Sequence, residues 1–146
     1  MHIDGGCFCG QITYEAEIDP ERIAVCHCRD CQILSGGAFR WGVLVRGEDF
    51  RLLSGQPKIF VKTAANGNRR ALAFCGECGS PLYGAAADNP QTLSLRLGGA
   101  RQAPQLSPKL QIWCGSALNW LPELNLPGFE AQPPTPFPEA AVSKDP

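Results

Sequence analysis

The sequence has no long apolar run, since nothing in it approaches the roughly 18 consecutive apolar residues of a membrane span. Its start, Met1-His2-Ile3-Asp4-Gly5-Gly6, has neither the basic opening nor the apolar stretch of a secretory signal. A cytoplasmic protein without a membrane partner is therefore expected. An excess of either charge is also missing. Thirteen Lys and Arg against fourteen Asp and Glu leave a formal charge of −1 and a pI near 6.1, so no basic field draws in a phosphate backbone and no nucleic-acid partner is expected. Thirteen prolines and sixteen glycines leave no uninterrupted, strongly amphipathic window of helical length. No internal repeat of useful length stands out.

What is present describes one globular domain: 146 residues, 44% hydrophobic and 18% charged. At this length folding buries about two thirds of the chain's surface, so disulfides are not needed merely to hold it together. The expected fold is mostly β, a single domain of small packed antiparallel sheets with few short helices. Gln11 to Ala16 alternates Ile12, Tyr14 and Ala16 against Gln11, Thr13 and Glu15, the period of a half-buried strand. Phe39 to Val45, Phe50 to Leu53, Lys58 to Thr63 and Thr92 to Leu97 read as further strands. Ala64 to Asn68 supplies a turn, from which Arg70 to Phe74 returns as a hairpin partner. One short helix is expected near Asp30 or Cys31 and another over Ser116 to Leu121. The domain is expected to span 1–130, and the Pro-rich stretch 131–146, poor in apolar residues, reads as a mobile tail.

The eight cysteines are then the feature to explain, because a reducing compartment directs clustered thiols to metals or catalysis before disulfides. They sort into Gly6-Cys7-Phe8-Cys9-Gly10, Cys26-His27-Cys28-Arg29-Asp30-Cys31 and Phe74-Cys75-Gly76-Glu77-Cys78-Gly79, with Cys114 apart. A Cys-x-x-Cys turn such as Cys75 to Cys78 points two sulfurs at one tetrahedral ion, and Gly79 permits the positive φ of such a knuckle. Cys7 and Cys9 can add the second pair and close a four-thiolate site. Cys26, Cys28 and Cys31 are enough to hold one ion from a single loop, with the fourth position open as in catalytic zinc sites. Spacing leaves other pairings open, including closure of the second site by His27 or Cys114, or a disulfide framework.

His27, flanked by two candidate ligands, points away from them and reads as a neighbour of the site or as exposed. His2 belongs to a start expected to fray. Cys114, in an apolar stretch, reads as a small buried hydrophobe, and Trp41, Trp113 and Trp120 as core or pocket wall.

These residues together resemble the glutathione-dependent formaldehyde-activating enzyme family, which includes centromere protein V. The resemblance runs in order from Gly5 to about Phe129. It comprises Gly5-Gly6-Cys7-Phe8-Cys9-Gly10, Cys26-His27-Cys28-Arg29-Asp30-Cys31-Gln32 and Phe74-Cys75-Gly76-Glu77-Cys78-Gly79-Ser80-Pro81-Leu82, with Ile112-Trp113, Ser116, Trp120 and Leu126-Pro127-Gly128-Phe129 downstream. It implies a mostly β fold and two zinc ions per chain. One would be structural, on Cys7, Cys9, Cys75 and Cys78; the other catalytic, on Cys26, Cys28 and Cys31. The family commonly has a histidine just before the Ile-Trp pair, where this chain has Gln111.

The activity implied is that of a carbon-sulfur lyase acting on a glutathione-formaldehyde adduct. Glutathione, the small thiol partner, would enter the open vertex as a thiolate and form or release S-hydroxymethylglutathione. Arg29, Arg69 or Arg70 is a candidate for its carboxylates. Seven thiolates and two dications would leave the chain more acidic still, which again disfavours nucleic acid. Two rival readings remain. Trp113-Cys114-Gly115-Ser116-Ala117-Leu118 distantly resembles the catalytic segment of B-type methionine sulfoxide reductases, and a zinc-stabilised interaction module would need no activity at all.

Overall fold

Among residues 1–64 and 66–123, which a computed structural model describes, the chain forms ten short strands and one α-helix, joined by turns. In chain order they are β1 (His2–Gly6), β2 (Thr13–Glu17), β3 (Ile23–Cys26), α1 (Arg29–Ser35), β4 (Arg40–Arg46), β5 (Phe50–Ser54), β6 (Lys58–Thr63), β7 (Arg69–Phe74), β8 (Pro81–Ala86), β9 (Thr92–Arg96) and β10 (Leu110–Ile112). A three-stranded antiparallel sheet runs β1-β2-β5, and a seven-stranded sheet runs β10-β3-β4-β9-β8-β7-β6. The fold is thus mostly β with few short helices, as the punctuation by proline and glycine led us to expect. One pair departs from antiparallel order: β10 lies parallel to β3, with Ile112 beside Cys26.

Period-two patterning decides which face of the large sheet does what. On β4 and β9, Val43, Val45, Leu93 and Leu95 are buried and join Ile3, Tyr14 and Ala16 of the small sheet in one apolar core. Each of the valine, leucine and isoleucine side chains contributes on the order of 1.5–3 kcal/mol by leaving water, so the two sheets are held face to face. The alternate residues of the same strands, among them Arg40, Gly42, Ser94 and Arg96, point to the opposite face. That face carries the larger cavity described below.

The β6–β7 hairpin matches expectation, pairing Lys58 with Phe74 through Thr63 with Arg69, and Gly67 in its turn has φ 84°. Strand β1 does not. His2 lies in paired strand rather than a frayed start, its Nδ1 2.8 Å from Glu17 Oε1, and the Met1 ammonium donates to the Ile18 carbonyl. Asp4, Gly5 and Gly6 carry little strand propensity, so tertiary packing decides here. A Cβ on Gly5 would sit 2.2 Å from the Gly99 carbonyl oxygen, which makes glycine a packing requirement.

The helix expected over Ser116 to Leu121 is replaced by two 3₁₀ turns, Cys114–Ser116 and Leu121–Glu123. Pro122 disfavours α geometry at the residue before it, and too few residues separate it from Gly115 to complete a helix. No helix among the described residues is long and apolar enough to cross a membrane. The expected tail 131–146 and the Leu126-Pro127-Gly128-Phe129 motif lie outside the described residues.

Candidate functional site

Cys7 follows β1 at a tight turn, and Cys75 and Cys78 occupy the turn between β7 and β8. Backbone bonds shape both turns: Cys7 N–H donates to the Ile12 carbonyl, Gly10 N–H to the Cys7 carbonyl, and Gly79 N–H to the Cys75 carbonyl. Gly10 and Gly79 have φ of 78° and 75°, values that favour glycine, so the Gly79 expectation holds. The four sulfurs of Cys7, Cys9, Cys75 and Cys78 all lie within 4.8 Å of one another. Cys7 Sγ to Cys9 Sγ is 3.5 Å and Cys9 Sγ to Cys75 Sγ is 3.7 Å. Those separations far exceed the roughly 2.05 Å of a disulfide bond and match the about 3.8 Å edge of a tetrahedron with Zn–S near 2.3 Å. The donor set fits a structural zinc ion.

The second set forms where β3 ends. Cys26 is its last residue, Cys28 is the N-cap of α1 and Cys31 lies in the first turn of the helix, which Gly36 ends at φ 65°. These three sulfurs also lie within 4.8 Å of one another, and neither His27 nor Cys114 joins them. Three thiolates fit a zinc ion with one vertex left open.

The acidities within each set diverge. Cys78 is pulled down to about 5, chiefly by the Ser80 hydroxyl 3.2 Å away. At Cys9 the Gln11 N–H favours the thiolate, yet the neighbouring Cys7, Cys78 and Cys75 thiols outweigh it and push the group up to about 12. Burial pushes Cys31 up to about 12 despite the Arg40 charge nearby. At Cys26 burial opposes ionisation, but the Cys28 N–H, the Cys31 and Cys28 sulfurs and Arg40 overcome it and lower the value. In each set hydrogen bonds lower at least one cysteine, Cys7 and Cys78 in the first and Cys26 in the second, while a neighbour is raised.

The three-cysteine set lies on a cavity of about 950 Å³ on the face of the large sheet away from the core. A smaller cavity of about 260 Å³, lined by Glu17, Arg22, Arg46 and Asp49, holds no cysteine. Phe60, Leu72, Ile112 and Trp113 give the large cavity apolar wall, and Arg29, Arg40, Lys62, Arg70 and Arg96 line it with positive charge. Asp30 is the one carboxylate among its lining residues and pairs with Lys62. Of the arginines read from sequence, Arg29 and Arg70 reach the cavity. Arg69 does not; it pairs with Asp88 at 3.5 Å. Arg40, Lys62 and Arg96 were not singled out in the sequence. Their signal was a cation on a strand whose other face is apolar, which becomes informative only once strand order is known.

His27 is buried rather than exposed, with its Nε2 2.9 Å from Gln111 Oε1 and its ring edge-on to Phe39. The His27 backbone N–H donates to the Ile112 carbonyl. Gln111 therefore supports His27 and does not line the cavity. Gln32 fastens the same region, its Nε2 donating to the carbonyls of His27 and Ser116. Trp113, 67% exposed, sits on the cavity rim at φ 59°, a left-handed value that costs a bulky residue about 1–2 kcal/mol. Trp41 packs on the core, and Trp120 is half exposed and outside the cavity lining. Cys114 is exposed, not buried as its apolar neighbours suggested, because the 3₁₀ turn it opens lies at the surface.

Fold and sites together define a class: a two-sheet β protein with one closed and one open cysteine set, the open set facing a cationic cavity. The family model for glutathione-dependent formaldehyde-activating enzymes matches residues 2–116, and the chain belongs to that family. No curated protein matches it significantly. The crystal structure of a Rhodobacter sphaeroides protein, a structural-genomics target, is similar at a TM-score of 0.58, covering 74% of this chain and 98% of that one at 18% identity. That likeness extends to the fold.

Proposed function

We propose that this protein is a zinc-dependent carbon-sulfur lyase that forms or cleaves S-hydroxymethylglutathione at Cys26, Cys28 and Cys31. The observation that carries the reading is the difference between the two cysteine sets. Four sulfurs close on themselves between the sheets, while three face a cavity lined with cations. In the balanced reaction glutathione's S–H adds across the C=O of formaldehyde: a carbon-sulfur bond forms, and the thiol proton ends on the new hydroxyl. Zinc bound by the three cysteines would supply a vertex for the thiol and favour its deprotonation. The chain's own residues do the rest. Arg29 and Arg70 attract the tripeptide's carboxylates, and Phe60, Leu72 and Trp113 limit water around the sulfur. Cys7, Cys9, Cys75 and Cys78 would hold a second zinc with a structural role. Cys114, exposed and off the cavity, has no part in this chemistry.

Exchange of ¹³C-formaldehyde with glutathione, followed by NMR, tests the proposal. Zinc-loaded protein should speed exchange well above the buffer rate, and Cys28→Ser should return it to that rate. Parent protein indistinguishable from buffer would overturn the enzyme reading in favour of an interaction module.

A further inference from the structure

The cavity lining includes two guanidiniums, Arg40 and Arg96, whose donors are only partly used. Arg40 Nη1 donates to Ser94 Oγ at 2.9 Å, and Arg96 Nη1 donates to the same oxygen at 3.1 Å and to the Ser94 carbonyl at 3.1 Å. One hydroxyl thus holds two guanidiniums side by side. Each guanidinium gives only its Nη1 to Ser94, so among the described residues the Nη2 of both arginines has no acceptor, while Arg40 Nε is buried without a partner. Among the described residues neither arginine forms a salt bridge. Burial, and then the nearby Arg40 charge, lower Arg96 to about 10, so the pair is held together at an electrostatic cost.

The surrounding sequence makes room for this arrangement. Gly84 stands opposite Ser94 in the β8–β9 register, and a Cβ there would lie 3.1 Å from Arg96 Nη2. Cys26 stands opposite Arg40 in the β3–β4 register, which places the pair beside the open cysteine set. Two adjacent cations with unspent donors, lining a cavity, are complementary to a carboxylate.

We infer that Arg40 and Arg96, held together by Ser94, form an anion subsite that accepts a carboxylate of the substrate, restricting the open cysteine site to thiols that carry negative charge. The inference rests on the thiol-substrate reading for its substrate class. Its test separates the two by using S-methylglutathione, which keeps the carboxylates and has no thiol to give.

Binding to zinc-loaded, full-length protein is measured by calorimetry. S-methylglutathione should bind at least about tenfold more tightly than its dimethyl ester, the scale of a charge-assisted hydrogen bond. Arg40→Gln and Arg96→Gln should each cut that preference severalfold, leaving the share that Arg29 and Arg70 contribute at the other carboxylate. Gly84→Ala, which keeps both guanidiniums but crowds Arg96, should weaken the acid severalfold and leave the ester unchanged. Equal binding of acid and ester by the parent would overturn the subsite. So would a preference undiminished in folded Arg40 and Arg96 variants, the result expected if these arginines serve only to balance the cysteines' charge. Acid preferred over ester, with glutathione binding no tighter than S-methylglutathione, would support the subsite and count against thiol capture.

Discussion

Sulfurs 3.5 to 3.7 Å apart repel one another as thiolates, so protons or a cation must lie among them. Without metal, Cys9 and Cys31, both pushed up to about 12, keep protons at neutral pH that a bound ion has to displace. Zinc binding should therefore release protons, and affinity should fall steadily as pH drops from about 8 to about 6. Calorimetry in buffers of different ionisation enthalpy measures the release, and a pH-independent affinity would contradict this account. Cys28→Ser should lose one of two zinc equivalents by metal analysis while its melting curve keeps the parent's cooperativity. Replacing Gln111 with Leu leaves buried His27 without its Nε2 partner, a loss of about 1–3 kcal/mol readable by urea unfolding.

The closed cysteine set ties two elements that belong to different sheets, the turn after β1 and the β7–β8 turn. Cys75→Ser should thus lower Tm by at least about 10 °C, because binding energy at a structural zinc site is folding energy. A melting curve unchanged at full metal content would rule that role out. Elements with alternating residues, such as β2, β6 and β9, were legible in the sequence, as were the three cysteine clusters, whereas spacing left open which clusters share an ion. Strands β1 and β8 were not, since Gly5, Gly6, Pro81, Gly84 and Ala85 carry no strand signal and take that form through what they pack against. The arginines of the cavity were hidden for a related reason. Arg40 and Arg96 become neighbours only through the β3-β4-β9 order, which local patterning does not encode.

Over the whole molecule the two cysteine sets differ in how they answer a chelator. The three-thiolate set opens onto the cavity and the four-thiolate set is closed, so zinc should leave in two phases, the first without loss of the circular dichroism of the folded protein. A single release that unfolds the chain would contradict this order. The same arrangement has a consequence in time. Cys26, Cys28 and Cys31 are all present once the ribosome has passed Cys31, but Cys9 waits 66 residues for Cys75. At roughly 5–20 residues per second that is several seconds or more in which an emerging chain can take up its first ion only at the open set, or by borrowing Cys7 and Cys9 for it.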